Sequence, residues 1–343
     1  MPTSSGPMPI PQIDFKASDS VRAALAAIGR TEDIRFSPDN RLLAIAGFAQ
    51  HRCLILRVDI ELAATGPTVT VHDFMELTSE SMGSVHGLDF IDDRTLVIAN
   101  RDGLVSILPL PSGELAGRQC KVKSLREVRG GLFCRMNTPG SIAATHQPNG
   151  QVSLLVCNNY THRVTQHVID GAFPYRVTKD RLLLKEGLNI PDGVALSHDG
   201  RWIAVSSHGT NDIKIFDASK PTGRKAPPVG ALESANYPHG LRFTGDDRHI
   251  LVADAGSPVI KVYDRGADWA GSREASRSVV VVDDDAFERG RNSPEEGGPK
   301  GLDIDRSNSV VAVTCQEQAL AFFSLAAILG DDRQERTDMR RTA

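Results

Sequence analysis

A short unit recurs six times along this chain, and that repetition limits the fold more than any other feature. Its clearest copies are "DGVALSHDGRWIAVSSHGTNDIKIFD" from Asp192 and "HGLRFTGDDRHILVADAGSPVIKVYD" from His239. Looser copies begin at Glu32, His86, Pro139 and Lys300. Each reads as an apolar strand, an Asp/Gly/Asn turn, a second apolar strand, a polar loop and a third alternating strand. With Asp33, Gly87, Gly140, Gly193, Gly240 and Gly301 as the shared position, the steps run from 47 to 61 residues. That period matches a blade of four antiparallel strands in a β-propeller.

Fourth, outer strands are supplied by "PTVTVHDF" (67–74), "RLLLKEG" (181–187) and "RSVVVVDD" (277–284). The sixth repeat ends at its third strand, "ALAFFSL" (319–325), and lacks an outer one. The N-terminal "IPQIDFKAS" (10–18) belongs to no repeat and alternates suitably. It is expected to complete the last blade and close the ring, which removes open sheet edges. The predicted fold is all-β: a single six-bladed propeller domain over residues 1–343, with blades starting near 32, 86, 139, 192, 239 and 300. "DSVRAALAAIGR" (19–30), capped by Asp19, fits either a short helix or a strand. The charged segment 283–298 reads as a flexible insertion, and residues 331–343 as a disordered tail.

Composition works mainly by exclusion. A net charge of −4 argues against a nucleic-acid partner. The one basic run, Arg118 to Arg129, includes Glu127 and alternates like a strand. No apolar run reaches the ~18 residues of a membrane span. "MPTSSGPMPIPQ" lacks the basic and apolar regions of a secretory signal, so a cytoplasmic location without a membrane partner is expected. Five scattered cysteines without a CxxC pair read as reduced thiols. Motifs for nucleotide binding, serine hydrolysis and HExxH zinc chemistry are absent.

In a propeller the first strand of each blade lines the central channel. The residue before each shared position then tends toward the axis, giving Glu32, His86, Pro139, Asp192, His239 and Lys300 in order. Six-fold symmetry sets Glu32 across from Asp192 and His86 across from His239. Two carboxylates and two imidazoles around one axis are a ligand set for one divalent metal ion, with zinc, calcium and manganese not distinguished. Second-strand exits bring Asn100, Arg101, Asn158 and His208 to the same rim. His208 is the candidate general base. Asn100, Arg101, Asn158 and Lys300 are candidate substrate-binding groups, with Arg101 and Lys300 suited to an anionic one. Cys315 would act as a nucleophile only beside a base. The same polar ring could equally line a water-filled channel, with His86 and His239 in hydrogen-bonded structural roles.

"PDGVALSHDGRWIAVSS" and "PHGLRFTGDDRHILVAD" resemble the repeats of six-bladed propellers grouped with gluconolactonase and the senescence-marker-30 (SMP-30) proteins. They are also similar to NHL-repeat and YVTN-repeat propellers, which are mostly binding modules. The first resemblance implies a lactonase with one divalent cation at the channel mouth. A first-blade Glu and the Asp of a "PDG" step would hold it, here Glu32 and Asp192. That Asp stands one blade earlier than in the group, and Pro139 and His239 stand where its Asn residues would be. Histidines from several blades are similar to peptide-amidating lyase propellers, whose zinc is held by three. Two functions therefore remain. One is a metal-dependent enzyme acting on a small molecule or short peptide at the mouth, with lactone hydrolysis first. The other is a non-catalytic propeller binding a protein or peptide partner through the same rim.

Overall fold

The six repeats fold as six antiparallel-rich sheets around a central channel in the computed structural model, which describes residues 7–291 and 293–330. Blade one runs outward from the axis as Thr31–Phe36, Leu42–Gly47, Arg52–Ala63 and Gly66–Thr78. The first strands of blades two to six are Val85–Asp92, Pro139–His146, Pro191–Leu196, Pro238–Phe243 and Pro299–Ile304. Second strands such as Thr95–Asn100 and Trp202–Ser207 are buried along their whole length. Each blade is covered on both faces by its neighbours, which is why these segments are nearly continuous apolar runs rather than alternating ones. The cores accordingly lie between blades. Ile34, Phe36, Leu43 and Ile45 of blade one pack with Val310, Ala312 and Phe322 of blade six.

The N-terminal segment closes the ring as expected, and it does more. Gln12–Ile13 pairs antiparallel with Phe322–Phe323 as the missing outer strand of blade six. Met8–Pro9 runs parallel to the outer strand Arg277–Val280 of blade five. Lys16–Ala17 runs parallel to Gly66–Thr78 of blade one. Ten residues thus stitch three consecutive blades together and cover their outer edges.

The basic run is divided between two sheets. Arg118–Lys121 adds a parallel strand to blade one, and Arg126–Val128 is the outer strand of blade two. Asp19–Ala27 is a helix that buries Val21, Ala24 and Leu25. Its cap is Ser18, whose hydroxyl accepts from the Val21 amide, and not Asp19. Within the insertion 283–298, Asp284–Arg289 is a helix capped by Asp283. The expected tail at 331–343 lies outside the described residues. All five cysteines are free. Among the described residues no helix is long and apolar enough to cross a membrane.

Candidate metal centre at the channel mouth

The same irregularity opens every blade. In all six, the pairing of first and second strands slips by one residue just after the first strand begins. A bulge of this kind re-aims the side chain inside it. It turns Glu32, His86, Asp192, His239 and Lys300 into the axis, and all five are buried. The glycine that follows has no room for a side chain. A Cβ on Gly193 would sit 2.2 Å from the His239 carbonyl oxygen, and one on Gly87 2.6 Å from Ser141 Cα. Close approach of adjacent first strands, not a left-handed backbone, is the reason for glycine here.

Blade three departs from the expected ring. Its register pairs Pro139 with Asn158 and Ile142 with Val156, just as Pro191 pairs with Ser207 and Val194 with Val205 in blade four. Gly140 therefore takes the channel position, and Pro139 does not. The space left by the absent side chain is filled from the second-strand exit. A Cβ on Gly140 would meet Asn159 Oδ1 at 2.6 Å and Asp192 Oδ1 at 2.8 Å.

That exit supplies a second tier of the site. The residue just past each second strand is Phe48, Arg101, Asn159, His208, Ala255 or Gln316. Asn100 and Asn158, one position earlier, have their amides engaged inside their own blades. Asn100 accepts from the Gly83 amide and donates to Ser106, while Asn158 accepts from the Asn137 amide and donates to Thr165. These are braces, so the expectation that both bind substrate is corrected. Asp254 braces blade five in the same way, through the Asn236 amide.

Asp192 is the hub of the cluster. Its Oδ1 accepts from Asn159 Nδ2 at 2.8 Å and lies 3.7 Å from His86 Nε2. Its Oδ2 lies 3.1 Å from His239 Nδ1 and 3.7 Å from His208 Nε2. Asp192, His208 and His239 each offer one ligand atom within 4.8 Å of the others. His208, expected as a base, thus joins the ligand group. Tyr237 stacks on its ring at 4.0 Å, which holds it against His239. His86 and His239 lie stacked across the axis, 6.3 Å between centroids.

The opposite side of the mouth is a charge network. Lys300 Nζ donates to Glu32 Oε1 at 3.3 Å and is paired with Glu296, which the insertion 283–298 brings over the channel. Arg30 also pairs with Glu32 and covers the Phe48 ring. Lys300 thereby pairs with two carboxylates. Glu32 Oε2 has no partner and lies 3.7 Å from His86 Nε2.

Burial works against the Glu32 carboxylate, but Lys300, His86 and Arg30 outweigh it and hold its pKa well below the usual range. Asp192 is likewise held far down, burial being outweighed by His86, His239 and His208. Burial pushes the His86 imidazole down to about 4, with Arg101 adding to the effect. Burial, with His239, pushes His208 down to about 3. At neutral pH ionised carboxylates therefore stand beside the neutral rings of His86 and His208, the protonation state that metal ligands require. Burial pushes the Cys315 thiol up, away from nucleophilic character.

Five buried atoms here have no hydrogen-bond partner: Glu32 Oε2, Asn159 Oδ1 and the Nε2 atoms of His86, His208 and His239. Donors bound to one zinc ion at about 2.0–2.2 Å stand roughly 3–3.5 Å apart, close to the spacing around Asp192. The residues present therefore fit a divalent ion, and the cluster could hold one.

No protein-family model matches this sequence, and no curated protein does. Among solved structures the chain is similar to a functionally unknown protein from Desulfotomaculum acetoxidans DSM 771. The TM-score is 0.55 and the identity 13%, over 86% of this chain and 83% of that one. Likeness at that level shows the fold alone. The chain is a six-bladed β-propeller whose channel mouth carries a buried carboxylate–imidazole cluster.

Proposed function

We propose that the channel mouth binds one divalent metal ion through Asp192, His208 and His239, and that the protein is a metal-dependent enzyme acting on a small molecule or short peptide, with hydrolysis such as lactone opening as the first reaction to test. The observation that carries this is the buried group Asp192, His208 and His239, whose ligand atoms lie within 4.8 Å of one another beside buried atoms that lack partners. A structural, water-lined channel does not need two imidazoles of depressed basicity, His86 and His208, beside two ionised carboxylates. Imidazole-rich donors favour zinc, manganese or iron(II) over calcium, which prefers an all-oxygen shell.

When bound, such an ion polarises a carbonyl group or lowers the pKa of a water molecule. His86 lies next to that position with Nε2 free, and is the residue placed to accept a proton there. Lys300 and Arg30 keep Glu32 ionised, and its Oε2, 3.7 Å from His86 Nε2, would stabilise that ring once protonated. Phe48 edges onto His86 and Tyr237 covers His208, which narrows water access.

The test is metal content by mass spectrometry of purified protein, of chelated and reloaded protein, and of His208→Ala, followed by hydrolysis assays on lactone and ester panels. Wild-type protein that neither carries nor takes up Zn²⁺, Mn²⁺ or Fe²⁺ would end this reading. A second reading, a binding propeller without chemistry, is favoured by one observation. Leu132 and Phe133, 90% and 83% exposed, stand in the rim loop that leads into blade three. Capture of a single partner that is lost in Leu132→Asp and retained in His208→Ala would support it.

A further inference from the structure

Between blades two and three, beside the channel mouth, lies a cleft of about 550 Å³. Its walls carry three guanidinium groups, Arg101, Arg135 and Arg163, together with Asp102, Asn137 and Thr138. Among the described residues none of these arginines forms an ion pair; the neighbouring pairs along the chain are Arg129–Glu127 and Arg201–Asp217. Arg101 Nη1 and Arg163 Nε are buried and have no partner. Arg163 is held in place by a bond from Nη2 to the Arg135 carbonyl oxygen at 2.7 Å. The Arg101 guanidinium lies over the Tyr160 ring, 5.9 Å from its centroid. Asp102, the one carboxylate of the cleft, accepts from the Ser84 amide at 3.2 Å.

The cleft touches the metal cluster from two sides. The Arg101 amide bonds the Ser84 carbonyl oxygen and Asn100 pairs with Val85, so Arg101 stands beside His86. Arg163 pairs with Asn158, next to Asn159, which bonds Asp192. A buried donor left without an acceptor costs about 1–3 kcal/mol, and more when the group is charged. Two such donors on one cleft, with a third guanidinium at its edge, match an oxyanion in charge. The planar fork of arginine matches phosphate and carboxylate oxygens in shape.

We propose that this cleft is an anion subsite of the channel mouth, so that the molecule bound there carries a phosphate or carboxylate group some way from the atom that reacts. The inference deepens the functional reading above and rests on it for the identity of the mouth as a ligand site. Phosphate and carboxylate share the oxyanion chemistry that three arginines recognise, and titration separates them.

The experiment uses the full chain stripped of metal by chelation, titrated with inorganic phosphate and separately with succinate by isothermal calorimetry. Saturable binding of at least one is expected, and the tighter of the two assigns the group. Arg101→Gln and Arg135→Gln should each weaken binding about tenfold, the size of one lost charge-assisted bond, while Arg176→Gln on the far rim should not. Arg135 is exposed, so its variant folds even if Arg101→Gln does not. Absence of saturable binding at millimolar concentrations, or equal binding in Arg135→Gln and wild type, overturns the proposal. Metal uptake by reloaded aliquots of the same preparations keeps the two readings apart. Phosphate binding without any metal uptake removes the metal centre and leaves the anion site standing, and the converse result does the opposite.

Discussion

The channel carries charged residues at two levels, and the two levels are built in opposite ways. Deeper in, Asp33, Asp89 and Asp303 sit two blades or fewer apart with Arg35 and Arg242. Each carboxylate there reaches across to the next blade: Asp33 to the Leu88 amide, Asp89 to the Ala144 amide, Asp303 to the Phe36 amide. Arg35 pairs with Asp33 at 3.0 Å, and Arg242 with Asp303 at 2.9 Å. At the mouth, a few ångströms along the same strands, three imidazoles and a carboxylate oxygen have no partner. At the deep level each carboxylate has hydrogen-bond partners, and Arg242 Nη2, 3.6 Å from Asp33 Oδ1, is the group left without one; at the mouth it is acceptor lone pairs that are left open, which points to something that binds. The contrast also separates burial from function, since both levels contain buried, shifted carboxylates, Asp33 in one and Glu32 in the other. Burial raises Asp33 to about 6 even though Arg35 opposes it.

The largest expected effect falls on the deep level. Asp303→Ala leaves Arg242 and the Phe36 amide without their acceptor and should cost about 3–5 kcal/mol in chemical denaturation. The comparison breaks if Asp303→Ala is near neutral while His239→Ala is strongly destabilising in metal-free protein. At the mouth, His208→Ala should weaken metal binding by about 100-fold or more, since even outer-shell partners cost 10–100-fold. Its metal-free stability should change little, and equilibrium dialysis with metal analysis reads the affinity directly. Gly193→Ala tests the close approach between blades four and five. A Cβ 2.2 Å from the His239 carbonyl oxygen should destabilise by about 1–3 kcal/mol through forced backbone movement, whereas Gly200→Ala, with nothing near its Cβ, should show only its backbone strain.

The smallest effect is a pH dependence. Protons compete with metal for the imidazole lone pairs, and competition starts only near the pKa of the unliganded ring. With His208 at about 3, protonation of that ligand should weaken metal binding only below about pH 5. Titration of the His208 ring near pH 6.5 in metal-free protein, read by NMR, where an ordinary histidine titrates, would show that the pocket is more solvated than its burial indicates.

Much of this architecture was legible in the chain because it repeats. The glycine step and the turn residues mark each blade, and the incomplete sixth repeat, read with the orphan strand at 10–18, predicts how the ring closes. Opposition of His86 and His239 across the axis follows from counting blades. The slip came at Pro139–Gly140, which copies the local motif while the strand register runs one residue further. A glycine beside a proline carries no sign of which one occupies the bulge. The second-strand exits are legible as rim positions, His208 among them, but the sequence does not show that His208 and Asn159 turn inward onto Asp192. Asn100 and Asn158 were misassigned because an Asn at a strand exit braces the blade or faces the rim according to a single residue of register.

By itself, the sequence determined a six-bladed propeller and a mouth lined by Glu32, His86, Asp192, His239 and Lys300, because periodic residues impose periodic structure. Only the tertiary structure decided which of those groups are satisfied. Glu296 arrives from a non-repeating insertion to neutralise Lys300, and Asn159 enters a gap left by Gly140 to hold Asp192. Hydrogen-bond satisfaction depends on distances of a few tenths of an ångström between residues far apart in the chain. Repetition in sequence carries no record of those distances.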